Sequence, residues 1–254
     1  MSETHLVGQL DVTALAGTWP QITDFGTPPW ELGLIDVVHI NYETTSATML
    51  STLPPAVHPS IPPHLSWLVY RVHDSDLGPF QLAQTRIGCR IGLKPRGLLT
   101  SAVCDSPMAV KELERRWGFR VRLGQIRVTP RNDHVNVRVA VDAASILAVD
   151  IEGPVLLPGS GVPIAPGLNL ANTPLGRQLV QVDPEYVIAS AERGTPRLRH
   201  FDAAAWGATG VTPNWPISGV WMQAEVTLPA LRFVTDPASR AVDGTVRLPD
   251  SRSG

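Results

Sequence analysis

The stretch LSWLVYRVHDSDLGPFQLAQTRIGCRIGLKPRGLLTSAV, residues 65–103, constrains the fold more than any other part of the chain. Three runs of strand length, 65–73, 80–93 and 97–104, are rich in aliphatic and aromatic residues, and the breaks between them, DSDLG and KPRG, carry turn-forming residues. Neither break can hold a crossover helix. The three runs therefore predict an antiparallel meander.

The flanking sequence extends that pattern. TPPW at 27–30 reads as an extended lead-in, and LGLIDVVHINY as a buried strand ending near Tyr42. Thr44 or Thr45 then caps a short helix, TSATMLSTL, that stops at Pro54-Pro55. Asp105-Ser106-Pro107 opens a second helix, PMAVKELERRW, with Val110, Leu113 and Trp117 at helical spacing and Gly118 as its terminator. RVRLGQIRV and HVNVRVAV alternate as half-buried strands joined by PRND. Residues 152–176, dense in Pro and Gly, read as a long connection packed on the core. QLVQVD, PEYVIAS, GVWMQAEVTL and ALRFVTD fit strands, FDAAAWG a short helix, and the polar residues from Ala238 on a frayed end. The expectation is an α+β fold, antiparallel sheet with few short helices, in one domain over residues 1–254.

Charge and residue usage remove several functional classes. A net charge of -2 with scattered arginines exerts no long-range pull on phosphate, so no nucleic-acid partner is expected. The amino-terminal residues carry no signal-like apolar run and no later segment has the length of a membrane span, which points to a cytoplasmic protein without a membrane partner. Cys89 and Cys104 form no CxxC pair and are expected as buried thiols. His58 and His64 lie in a proline-rich loop and the other histidines, His39 among them, are isolated, so they are expected on the surface or on edge strands. No metal and no cofactor is implied, and GxSxG, phosphate-loop and dinucleotide patterns are absent. Of the 21 basic residues only Lys94 and Lys111 are lysine, one in the KPRG turn and one on the polar side of the helix. That asymmetry matters because lysine can lose its proton and attack a carbonyl, whereas arginine stays charged.

Taken in order, the strand ending in Tyr42, Leu53-Pro54, LGPF at 77–80, DSPMAVKELERRWGFRVRLG and AEVTLP at 224–229 resemble the acetoacetate decarboxylase family, without gaps from about Tyr42 to Gly124. The resemblance implies an antiparallel sheet-rich cone or barrel around an interior pocket, in a homo-oligomer. In the family, the turn after the helix carries two consecutive lysines, the first forming a Schiff base and the second lowering its pKa by like-charge repulsion. Here Val121 and Arg122 fall at those positions, the arginine for the substrate carboxylate falls near Ile35, and the two acidic residues fall at Trp67 and Leu82. Valine cannot form an imine.

The resemblance thus implies a pocket lined by Ile35, Trp67, Leu82, Val121 and Phe119, apolar where the family is ionic, and suited to a hydrophobic oxygenated ligand such as a polyketide, terpenoid or steroid-like molecule of secondary metabolism. Four readings stay open: a lyase, isomerase or cyclase without Schiff-base chemistry, a carrier for an apolar metabolite, a scaffold whose cavity Trp67 fills, and, last because the lysine is missing, a true acetoacetate decarboxylase. Arg122, Arg120, Gln81, Gln84, Arg86 and Cys104 are the candidate polar groups. On a strand Arg120 and Arg122 would point away from Val121; in a turn either could reach a ligand oxygen. A placed polar group in the pocket would favour an enzyme over a carrier.

Overall fold

The computed structural model describes residues 6–13, 19–240 and 243–249. Two helices accompany the strands. Helix α1 spans Ser46–Thr52 and α2 spans Pro107–Trp117. The first half of the chain supplies β1 (Trp30–Glu43), β2 (His58–Pro59), β3 (His64–Val72), β4 (Phe80–Ile91), β5 (Lys94–Cys104), β6 (Val121–Leu123), β7 (Gln125–Pro130) and β8 (His134–Val141). The second supplies β9 (Ala144–Leu156), β10 (Gly167–Thr173), β11 (Gly176–Val182), β12 (Glu185–Phe201), β13 (Pro216–Leu228), β14 (Phe233–Thr235) and β15 (Thr245–Arg247).

All of these strands join one sheet in the order β15-β14-β11-β10-β5-β4-β3-β1-β13-β12-β9-β8-β7, with β2 added to β4 and β6 to β5. The order runs from β15 to β7 without closing, so the expected cone or barrel is an open sheet. Its strands pair antiparallel except for β10 on β5 and β6 on β5. The meander is β3-β4-β5, and β4 and β5 are buried along most of their length on both faces. Both faces of these strands are therefore packed, with Gln84, Thr85 and Arg86 buried among the apolar residues. One core contains Ile35, Val37, Tyr70, Leu82, Leu99 and Phe119; the other contains Val38, Ile40, Trp67, Val69, Ala83 and Trp206. Alternate residues of β1 and β3 go to opposite cores, as period-2 strands require.

Local chemistry sets the helix ends. The Thr45 side chain accepts from the Thr48 N–H and starts α1, and Ser106 accepts from the Ala109 N–H at the start of α2 with Pro107 in its first turn. Gly118 ends α2 in the left-handed region at φ 65, where a Cβ would approach Ala171 Cβ to 2.7 Å. Trp117 is fully buried, donates its indole N–H to the Pro229 carbonyl and stacks on Trp30 at 5.9 Å.

Three expectations are corrected. FDAAAWG forms turns rather than a helix: Asp202 accepts from the Ala205 N–H, Gly207 takes φ 62, and the segment is too short to extend past its first turn. The connection expected over 152–176 is shorter, because β9 continues to Leu156 and β10 begins at Gly167. At the C-terminal end, Thr245–Arg247 pair with β14 instead of fraying; residues 241–242 and 250–254 lie outside the described residues. Among the described residues no helix is long and apolar enough to cross a membrane.

Candidate functional site

Strand register assembles the interior face row by row. Val37, Tyr70, Leu82 and Cys104 are direct neighbours across β1, β3, β4 and β5. The next row is His39, Leu68, Gln84 and Ala102, with Val121 of β6 beside Ala102. A third row runs through Ser66, Arg86 and Leu99. The sheet curls enough that Tyr186 of β12 reaches across this face, where its hydroxyl bonds to that of Tyr70 and the rings meet edge-on at 6.4 Å.

Arg86, in the third row, is only 3% exposed. Its Nε and one terminal nitrogen donate to Gln84 Oε1 at 3.1 and 2.6 Å, and the other terminal nitrogen donates to the Ala165 carbonyl at 3.1 Å. Among the described residues it has no carboxylate partner; both acceptors are neutral. The space it occupies is left by Gly97 and Gly167, where an added Cβ would lie 3.1 Å and 3.5 Å from its side chain. Gln84 Nε2 is buried with no hydrogen-bond partner. Leu157, Val162 and Ile164 pack on the same core, so the segment that supplies the Ala165 carbonyl also covers this end of the interior.

The protonation states are set by burial. Burial, and next to it the charge of Arg86, pushes His39 down to about 3, so its imidazole is neutral. Burial raises the Tyr70 phenol and, together with Tyr70 itself, raises Tyr186 well above its usual value, so both phenols keep their protons. The interior therefore offers one fixed cation and several neutral polar groups, and no carboxylate base among these neighbours. Such a set holds and polarises an oxygen anion. His39 also makes the fold acid-sensitive. Its folded pKa lies below the unfolded value of 6.5, so unfolding takes up a proton and stability falls as pH drops from 6.5 toward about 3, with a slope of about 1.4 kcal/mol per pH unit. His39→Leu is expected to remove about 2 kcal/mol of the loss between neutral pH and about pH 5, read from urea midpoints of both proteins.

Of the candidates read from sequence, Gln84 and Arg86 meet here, with Ile35, Leu82 and Phe119 buried in the surrounding core and Val121 packed against it. Trp67 is on the opposite face with Tyr42 and Phe201, at 5.6 and 5.1 Å, so it does not fill this interior. Gln81 bonds Asp105 and the Ile126 carbonyl, tying β4 to β7. Arg120 and Arg122 lie along a different cavity, with Arg122 donating to the Ala205 carbonyl. Burial pushes the Cys104 thiol up to about 12, which leaves it protonated and a poor nucleophile. Both lysines are exposed, Lys94 at the β4–β5 turn and Lys111 on α2. Among the described residues no three His, Cys, Asp or Glu converge on a metal site.

His39, Tyr70 and Tyr186 are site residues that sequence reading missed, and His39 is interior rather than on a surface or edge strand. The available signal was a polar or phenolic side chain inside a run of strand character. The same residue parity that puts Leu82 on this face puts Gln84 there as well. The interior is correspondingly polar at one end, not apolar throughout.

No family model matches the chain, and no curated protein matches it. Solved structures do. An acetoacetate decarboxylase from Legionella pneumophila superposes with a TM-score of 0.69 at 18% identity, over 87% of this chain and 90% of that one. The enduracididine biosynthesis enzyme MppR complexed with pyruvate gives 0.65 at 15% identity, over 81% and 90%. An acetoacetate decarboxylase-like enzyme from Sphingomonas wittichii RW1 gives 0.64 at 11% identity, over 88% and 97%. At these identities the likeness shows the fold.

Proposed function

We propose that this chain, an acetoacetate decarboxylase fold with valine where the resemblance places the imine lysine, acts in its interior on a largely apolar, oxygenated small molecule carrying one acidic group. The reaction is a lyase, isomerase or cyclase step that passes through an oxygen anion rather than a lysine imine. The observation that carries this reading is Arg86: a guanidinium cannot shed its proton, and burying it against neutral acceptors is costly unless an anion completes the site. Ile35, Leu82 and Met222 supply the apolar surface for the ligand body, and the Tyr70–Tyr186 pair lies within reach of Arg86's field to polarise a carbonyl. Both lysines are on the surface, which supports a reaction that does not use an imine.

Native mass spectrometry of purified protein, extended to polyketide, terpenoid and steroid-like acids and their methyl esters, tests the proposal. Free acids are expected to bind at least about tenfold tighter than esters, the contribution of one charge-assisted contact. Borohydride with acetoacetate is expected to leave no covalent adduct. An adduct, or equal binding of acid and ester, would overturn it. A ligand that binds and is returned unchanged in every case would make the protein a carrier.

A further inference from the structure

A second site lies around Arg120, bordering the interior face, with which it shares Leu99 and Val121. A cavity of about 420 Å³ is walled by Leu10, Trp19, Leu98, Leu99 and Leu170, with Arg120 and Gly207 at one end. A second cavity, of about 300 Å³, shares Arg120 and Gly207 and adds Ser101 and Arg122. Among the described residues no aspartate or glutamate lines either one.

The two arginines are poorly compensated. Arg120 is exposed and makes no side-chain hydrogen bond or ion pair with a described residue. Arg122 donates to the Ala205 carbonyl, but its Nε is buried with no partner. Gly207, at φ 62, keeps the wall low: an added Cβ would sit 3.6 Å from an Arg120 guanidinium nitrogen. An apolar chamber thus opens onto a chamber with two cations, a hydroxyl and an unmet donor. Its volume is in the range of small-molecule sites.

We propose that this two-chamber groove binds a single-chain amphiphile with a carboxylate headgroup, the tail along Leu10, Trp19, Leu98 and Leu170 and the headgroup on Arg120 and Arg122. Arg86 lines neither chamber, and the proposal does not depend on the function proposed for the interior.

Isothermal titration with decanoate, decan-1-ol and acetate tests this. Decanoate is expected to bind, with decan-1-ol and acetate each at least about tenfold weaker, because each lacks one half of the recognition. Arg120→Gln, on an exposed side chain, is expected to weaken decanoate at least about tenfold. Ser51→Trp, at the exposed rim of the apolar chamber, is expected to abolish binding. The loss on Arg120→Gln should persist in an Arg86→Met background, which removes the interior cation able to hold a carboxylate. The proposal is overturned if decanoate gives no heat, if decan-1-ol binds equally well, or if Arg120→Gln has no effect in either background.

Discussion

Trp117→Ala is expected to lower the free energy of unfolding by about 4 kcal/mol, the cost typical of deleting a buried tryptophan and leaving its cavity. Trp117 is fully buried at the last turn of α2, and three interactions end with it. The Pro229 carbonyl loses the donor it accepts from at 2.7 Å. Trp30, stacked at 5.9 Å with an interplanar angle of 14°, loses its partner and with it part of the stack that continues to Phe80. The Arg116 guanidinium, 4.2 Å from the Trp117 ring centre, loses the ring it lies over. Met108→Ala on the same helix, at an exposed position, is expected to cost less than about 0.5 kcal/mol. Urea denaturation of the two variants beside the parent checks both values. A Trp117→Ala cost below about 1 kcal/mol would show that this helix end is not packed as described.

Gln84 and Arg86 yield a prediction whose sign separates a functional arginine from a structural one. Gln84→Leu removes the acceptor of two guanidinium bonds and strands a buried cation, so it is expected to destabilise the protein by about 3–5 kcal/mol. Removing the charge as well, in Gln84→Leu/Arg86→Met, is expected to restore stability to the parent level or above it, because an apolar replacement no longer has to bury a guanidinium without a counter-charge. The same double variant should lose the preference for acids over methyl esters. Chemical denaturation together with the ligand panel distinguishes the outcomes. If the double variant is as unstable as Gln84→Leu, Arg86 is held for the fold, through the Ala165 carbonyl and the glycines around it, and the ligand reading fails.

The parts of the fold that could be read in advance have signals within a few residues of one another. The β3-β4-β5 meander and the boundaries of α2 follow from turn residues, a serine cap, a proline in the first turn and a terminating glycine. The β8–β9 hairpin escaped because its two-residue turn is Asp142-Ala143, both at positive φ, without the glycine that usually marks such a turn. Strand β9 also carries Asp150, which reads as surface until Arg138 and Arg199 are seen to hold it at 2.7 and 2.9 Å from the neighbouring strands.

The site divides along the same line. Residue parity along β4 puts Leu82, Gln84 and Arg86 on one face, and composition alone confines the amine chemistry to Lys94 and Lys111. What no local pattern contains is which strands face one another: that β12 brings Tyr186 over Tyr70, that Ala165 closes on Arg86, and that Trp67 belongs to the opposite core. Those facts depend on the curl of the sheet and on long-range pairing. A shift of one residue in register exchanges the two faces of a strand without changing its composition. Strand character, helix ends and the scarcity of amines are legible in the residues themselves. That an arginine with no carboxylate partner among the described residues lies buried on the interior face is not, because burial and charge pairing are properties of neighbours the chain brings from far away.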